Sequence, residues 1–180
     1  MQPTIPKLHS EDTLSQICAF TVDSLRLYVL VDAAQPKTTV TQLAQHFPEE
    51  SLLGLFQGMP EQSAQEAGPF IIPLNPFEDR HQPRLNWLLT TETQAPCLIW
   101  LWSPLTPMAL LNHLQQQLIV ILPDGSEALL RFYDPRVIQQ ITHGLFDANQ
   151  LKTLLQPVTH ARWYLPDAGY CSYPDNTQTG

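Results

Sequence analysis

Residues 118–136 read LIVILPDGSEALLRFYDPR. Two apolar runs, 118–122 and 128–133, flank the polar stretch Pro123, Asp124, Gly125, Ser126 and Glu127. Apolar runs joined by a short loop containing Gly predict a β-hairpin. The second run meets Asp134, Pro135 and Arg136. An Asp side chain accepts the orphan backbone N–H groups at a helix start, so Asp134 suits an N-cap. Pro135 suits the first helical turn, where its missing N–H costs nothing. One strand therefore ends and one helix begins at a defined corner.

Outward from this corner, the elements alternate. Toward the N-terminus, residues 97–102 (CLIWLW) are apolar on both faces, as in an interior strand covered on both sides. Thr106 and Pro107 then start a helix striped by Leu110, Leu111, Leu114 and Leu118. Earlier still, Ser10 suits the cap of a helix carrying Leu14, Ile17, Cys18, Val22 and Leu25. Residues 27–31 (LYVLV) form a short buried strand closed by Asp32. Val40, Leu43, Ala44 and Phe47 follow helical spacing up to Pro48. A short apolar segment at 51–56 precedes a loop at 57–68, and 70–74 is another strand. Residues 75–84 read as loop, and 85–89 as a helical turn or two.

On the C-terminal side of the corner, Pro135 to His143 predicts a helix that Gly144 ends. Phe146, Asp147, Gln150 and Leu151 spell a capping box with a hydrophobic staple, so a further helix runs to about residue 156. Residues 159–164 are a last strand, and the Pro-, Gly- and Asp-rich residues 165–180 read as a loose tail. The expectation is one α/β domain over residues 1–164 with a mixed sheet and one hairpin near 118–133.

Composition narrows the function. Hydrophobic residues make up 43% of the 180, enough for a globular core. Charged residues are only 14%, against a usual share of about a quarter. Such a surface suits a protein that a partner covers. The formal net charge of -8 and the lack of a basic stripe argue against nucleic acid as a partner. Three cysteines (Cys18, Cys97, Cys171) without CxxC spacing fit free thiols in a reducing compartment. No signal peptide is visible in MQPTIPKLHSEDT, and no apolar stretch is long enough for a membrane span. The reading is a cytoplasmic protein with no membrane partner.

Catalytic chemistry finds little footing. No Gly-rich phosphate loop, HExxH or CxxC occurs, so no cofactor and no metal is expected. Cys97, His113 and Asp134 would supply nucleophile, base and orienter if the fold brought them together. Cys97 opens an apolar strand with no neighbouring cation to lower its pKa, so packing is its expected role. At the corner, Asp134 should cap the helix, with Arg131 or Arg136 pairing to it or to another carboxylate. Trp100 and Trp102 alternate with Leu and read as core, although Trp is also a favoured interface anchor. Arg131, Tyr133, Asp134, Arg136, Trp100 and Trp102 are the candidates for partner binding. A small α/β enzyme or small-molecule-binding domain using the Asp134/Arg136 corner is the alternative.

Several segments together resemble a known family. LYVLVDAAQ (27–35) is similar to its opening strand followed by an Asp-Ala pair. SLLGLFQG (51–58) resembles its Leu-Phe-x-Gly segment, and GPFIIPL (68–74) its apolar strand with a leading Gly-Pro. His113 and Leu114 sit late in a helix before the hairpin, and LPDGSEALLRFYDPRV (122–137) is the most specific match. These resemble the adaptor-chaperones that load effectors onto the type VI secretion spike. The resemblance implies a non-enzymatic protein that binds the N-terminal region of a type VI effector and the trimeric spike protein VgrG, delivering one to the other. With the scarcity of charge, it leads to the expectation of an apolar or amphipathic helical segment of the effector held in a groove of Leu, Trp and Phe. Salt should then weaken binding only slightly.

Overall fold

The structure, a computed structural model, describes residues 8–79 and 83–174. The first residues of the N-terminal stretch, residues 80–82 of the 75–84 loop, and residues 175–180 of the tail lie outside the described residues. The order is α1 (Leu8–Phe20), β1 (Arg26–Asp32), α2 (Val40–His46), β2 (Leu53–Gly54), β3 (Pro69–Leu74), α3 (Pro76–Asp79), α4 (Pro83–Glu92) and β4 (Leu98–Ser103). Then come α5 (Pro107–Gln116), β5 (Ile119–Ile121), β6 (Glu127–Leu129), α6 (Pro135–Gln140), α7 (Ala148–Leu155), β7 (His160–Leu165) and β8 (Gly169–Tyr173).

Six strands form one sheet in the order β2-β3-β1-β4-β7-β8, and β5 pairs only with β6. This is the expected single α/β domain, with one correction. Every pairing among the described strands is antiparallel, so the sheet is not mixed. The physical reason lies in β1. The helical crossover from β3 to β4 does return the chain parallel to β3. However, β1 lies between them and runs opposite to both. Alternating helices and strands in the sequence give no sign of that insertion.

Strand periodicity divides the core into two layers. On one face, Leu27, Val29, Val31, Ile72, Trp100 and Trp102 pack against Ile17 of α1, Leu43 of α2, and Leu85 and Leu88 of α4. On the other, Tyr28, Leu30, Ile71, Ile99, Leu101 and Trp163 meet Leu110 and Leu114 of α5, Ile138 of α6 and Leu154 of α7. The strand β4, apolar from Leu98 to Trp102 and ending in Ser103, is buried at every position, as a strand covered on both faces must be.

Local signals set the helix ends. Thr106 Oγ1 accepts the Ala109 N–H (3.4 Å) at the start of α5. Asp147 Oδ1 accepts the N–H groups of Asn149 (2.8 Å) and Gln150 (2.9 Å), while Gln150 Oε1 accepts the Asp147 N–H (3.0 Å), completing the expected capping box. After α6 a wide turn, Ile141–Leu145, carries Gly144 at φ 111°, which an L side chain rarely adopts. Ser10 is no cap, because α1 already begins at Leu8.

Two further expectations change. The loop at 57–68 holds a 3-10 helix, Pro60–Ala67, and α3 and α4 occupy most of the described part of 75–84. Residues 165–174 are no loose tail: Gly169–Tyr173 returns beside β7, pairing Leu165 with Gly169 through Ala161 with Tyr173. The punctuation by Pro166, Asp167 and Gly169 makes a turn here, with Gly169 at φ 74°.

Candidate functional site

The hairpin and the corner that follows it differ from a simple strand pair. Only Ile119–Ile121 and Glu127–Leu129 pair, and they stand apart from the main sheet. The roots are buried: Leu118, Phe132 and Tyr133 join the core. The limbs are not. Ile121 is 67% exposed, with Leu122 and Leu129 also exposed. At the tip, Asp124 Oδ1 accepts the Ser126 N–H (2.9 Å) and hydroxyl (2.6 Å), which holds its carboxyl below the ordinary value. The second run leaves the ladder after Leu130, whose N–H donates to the Leu118 carbonyl (2.7 Å), and Phe132 and Tyr133 then turn into the core.

At the corner, Asp134 caps α6 through the Arg136 N–H (2.9 Å to Oδ1). The Arg136 side chain closes back on the same carboxylate, Nε to Oδ1 at 2.9 Å and Nη2 to Oδ2 at 2.7 Å. Burial works against the Asp134 charge, but the hydrogen bonds from Arg136 outweigh it and hold the carboxyl below its ordinary value. Arg131 Nη2 lies 4.0 Å from Asp134 Oδ2 and donates to Asp32 Oδ2 at 3.1 Å. Its guanidinium also sits 5.7 Å from the Tyr133 ring centroid. Asp32, fully buried at the end of β1, is fixed by the Ala34 N–H (3.0 Å), while its carbonyl accepts the Thr38 hydroxyl (2.5 Å). The corner is therefore a ladder of Asp32, Arg131, Asp134 and Arg136. The carboxylates face in, and the arginine side chains stay 45% and 56% exposed.

Of the sequence candidates, the structure brings Arg131, Tyr133, Asp134 and Arg136 together and leaves the two tryptophans elsewhere. Trp100 and Trp102 are buried in the core, Trp100 completely, while Trp102 reaches the wall of the cleft described below. Trp100 Nε1 donates to Glu92 Oε2 (2.7 Å) and Trp102 Nε1 to Thr21 Oγ1 (3.0 Å). The thiol constellation does not assemble either. Cys97 packs on the α1/α2/α4 face, whereas His113 is on α5 across the sheet, its Nε2 bonded to the Leu154 carbonyl (3.0 Å). Burial pushes the Cys97 thiol up to about 12, the opposite of nucleophile activation.

Sequence reasoning missed a buried polar cluster behind Trp100. Glu92 also accepts the Tyr170 hydroxyl (2.5 Å), and the Arg162 guanidinium lies over the Tyr170 ring at 3.9 Å. Burial pushes the Glu92 carboxyl up to about 7, although Trp100, Tyr170 and Arg162 all favour its charge. One signal was present: Glu92 continues the Leu85, Leu88, Leu89 stripe of α4 and so points into the core. Beside this cluster is a cleft of about 520 Å³ whose lining includes Gln16, Phe20, Arg162 and Tyr170. Among the described residues no group of His, Cys, Asp and Glu side chains could hold a metal ion. Likewise, no described helix is long and apolar enough to cross a membrane.

No curated protein and no solved structure matches the chain. A family does, and its match runs from β1 through the hairpin and the arginine-carboxylate corner into α7. Over residues 27–153 the chain belongs to the family described as Domain of unknown function (DUF4123).

Proposed function

We propose that the chain is a cytoplasmic effector adaptor. It binds the N-terminal region of a type VI secretion effector and loads it onto the VgrG spike, with no turnover of its own. The observation that carries the reading is membership, across 27–153, of a family associated with type VI effectors. The surface supports it: a low-charge chain exposes Ile121 and Leu129 on one face of a hairpin apart from the main sheet, as a partner-binding face would. Against the enzyme alternative, both oxygens of Asp134 are taken up by Arg136, and Cys97 is buried with a raised pKa. The test is co-expression of the tagged chain with a type VI effector and VgrG from the same bacterium. The adaptor reading expects stoichiometric co-purification of the effector. A folded chain that retains neither protein overturns it.

A further inference from the structure

We propose that the corner and the hairpin form one docking surface for an acidic, amphipathic segment of the cargo protein. A carboxylate of that segment would sit against Arg131 and Arg136, and its apolar side chains on Ile121 and Leu129. The inference rests on the adaptor reading for the statement that the partner is a protein, and adds where and by what chemistry it binds.

Three observations carry it. First, cations are scarce in this chain, with 9 Lys and Arg against 17 Asp and Glu. Yet Arg131 and Arg136 each place a guanidinium nitrogen within 4.0 Å of one oxygen, Asp134 Oδ2. Second, the ladder is polarised. Its carboxylates are buried and its guanidinium side chains half exposed. Arg136 commits Nε and one Nη2 hydrogen to Asp134, and a guanidinium has five N–H donors, so three remain for an incoming acceptor. Held by buried carboxylates, both groups are ordered before the partner arrives, which lowers the entropy cost of a bidentate contact.

Third, the apolar contact is contiguous with the charge. The register pairs Ile119 with Leu129 and Ile121 with Glu127, so Ile119, Ile121 and Leu129 share one hairpin face. Arg131 follows two residues after Leu129 at the hairpin root, while Glu127 and Asp124 mark the tip. The surface thus exposes guanidinium groups at its root, apolar side chains along its limbs and carboxylates at its tip. A bound segment must place its acidic end at the root, which fixes its direction. Binding should then be salt-sensitive, unlike an apolar groove.

The test titrates the full chain and its variants with the effector's N-terminal region at about 50 and about 300 mM salt. Arg136→Gln keeps the Arg136 backbone N–H on Asp134, so α6 stays capped, and the urea midpoint checks this. The expected result for Arg136→Gln and Arg131→Gln is binding weaker by about tenfold at low salt, with a flatter salt dependence. Ile121→Ser should weaken binding with the salt slope unchanged. Folded variants that all bind within about twofold of the parent overturn the surface while leaving the adaptor reading intact. A parent that binds no effector overturns both. If the variants instead break a dimer of the chain seen by light scattering, the occupant is a second copy and the proposal fails.

Discussion

Replacing Glu92 by Gln should make the protein more stable at alkaline pH and leave it nearly unchanged in acid. Glu92 is 1% exposed, with its oxygens on Trp100 Nε1 and the Tyr170 hydroxyl. Burial raises its pKa from 4.5 to about 7 in the folded state. Between those values the folded chain holds a proton that the unfolded chain releases, so stability falls as pH rises. The contribution is fully present below about 4.5 and lost as pH climbs through about 7. At about 1.4 kcal/mol per pKa unit, the shift corresponds to something on the order of 3 kcal/mol. His160 acts in the opposite sense: burial lowers its pKa, so its contribution is lost as pH falls. Subtracting variant from parent removes that effect. The amide of Gln keeps an acceptor for one donor and a donor for the phenol oxygen, so the hydrogen bonds survive. Urea unfolding, followed by tryptophan fluorescence between about pH 5 and about pH 8, measures the difference. The Gln variant should gain on the parent up to about pH 7 and hold a nearly constant lead above it. A gap that does not change with pH would refute the reasoning, because it would mean that Glu92 does not titrate there.

Asp134→Ala should cost about 1–3 kcal/mol, for the lost cap and the Arg136 pair discounted for exposure, read as a lower urea midpoint. Asp147→Ala removes the capping box of α7 and should cost about 1 kcal/mol by the same measurement. In the native protein Cys97 should resist a thiol reagent that reaches the partly exposed Cys18 and Cys171 sooner, and should react only on unfolding. Rapid labelling of all three thiols under native conditions would contradict its burial.

Where local chemistry decides, the sequence was a sufficient guide. Thr106, Asp134 and Asp147 announce helix starts because a short polar side chain meets orphan N–H groups within three residues. The apolar run of β4 likewise reads as buried on both faces. What escapes is tertiary. Asp32 marks the end of a strand, but its contact with Arg131, 99 positions on, arises only because the corner packs over that strand end. The antiparallel sheet escapes for a similar reason, since inserting β1 between β3 and β4 leaves no mark on either. The strand β8 is hidden by its composition: Gly169, Tyr170 and Ser172 are punctuated like a tail, and pairing with β7 overrides that. The hairpin misleads in the other direction. Its limbs are apolar in sequence yet exposed in the fold, and the proposed docking surface rests on that exposure.

The proposed function requires that this chain hold an effector. Its most direct test is calorimetric titration of the purified full chain with the N-terminal region of a type VI effector from the same bacterium, at several temperatures. The expected result is a one-to-one complex with a negative heat-capacity change, reflecting apolar burial on the hairpin. A folded chain giving no binding heat with any effector of that bacterium at any of these temperatures, and no complex by size-exclusion, would contradict it.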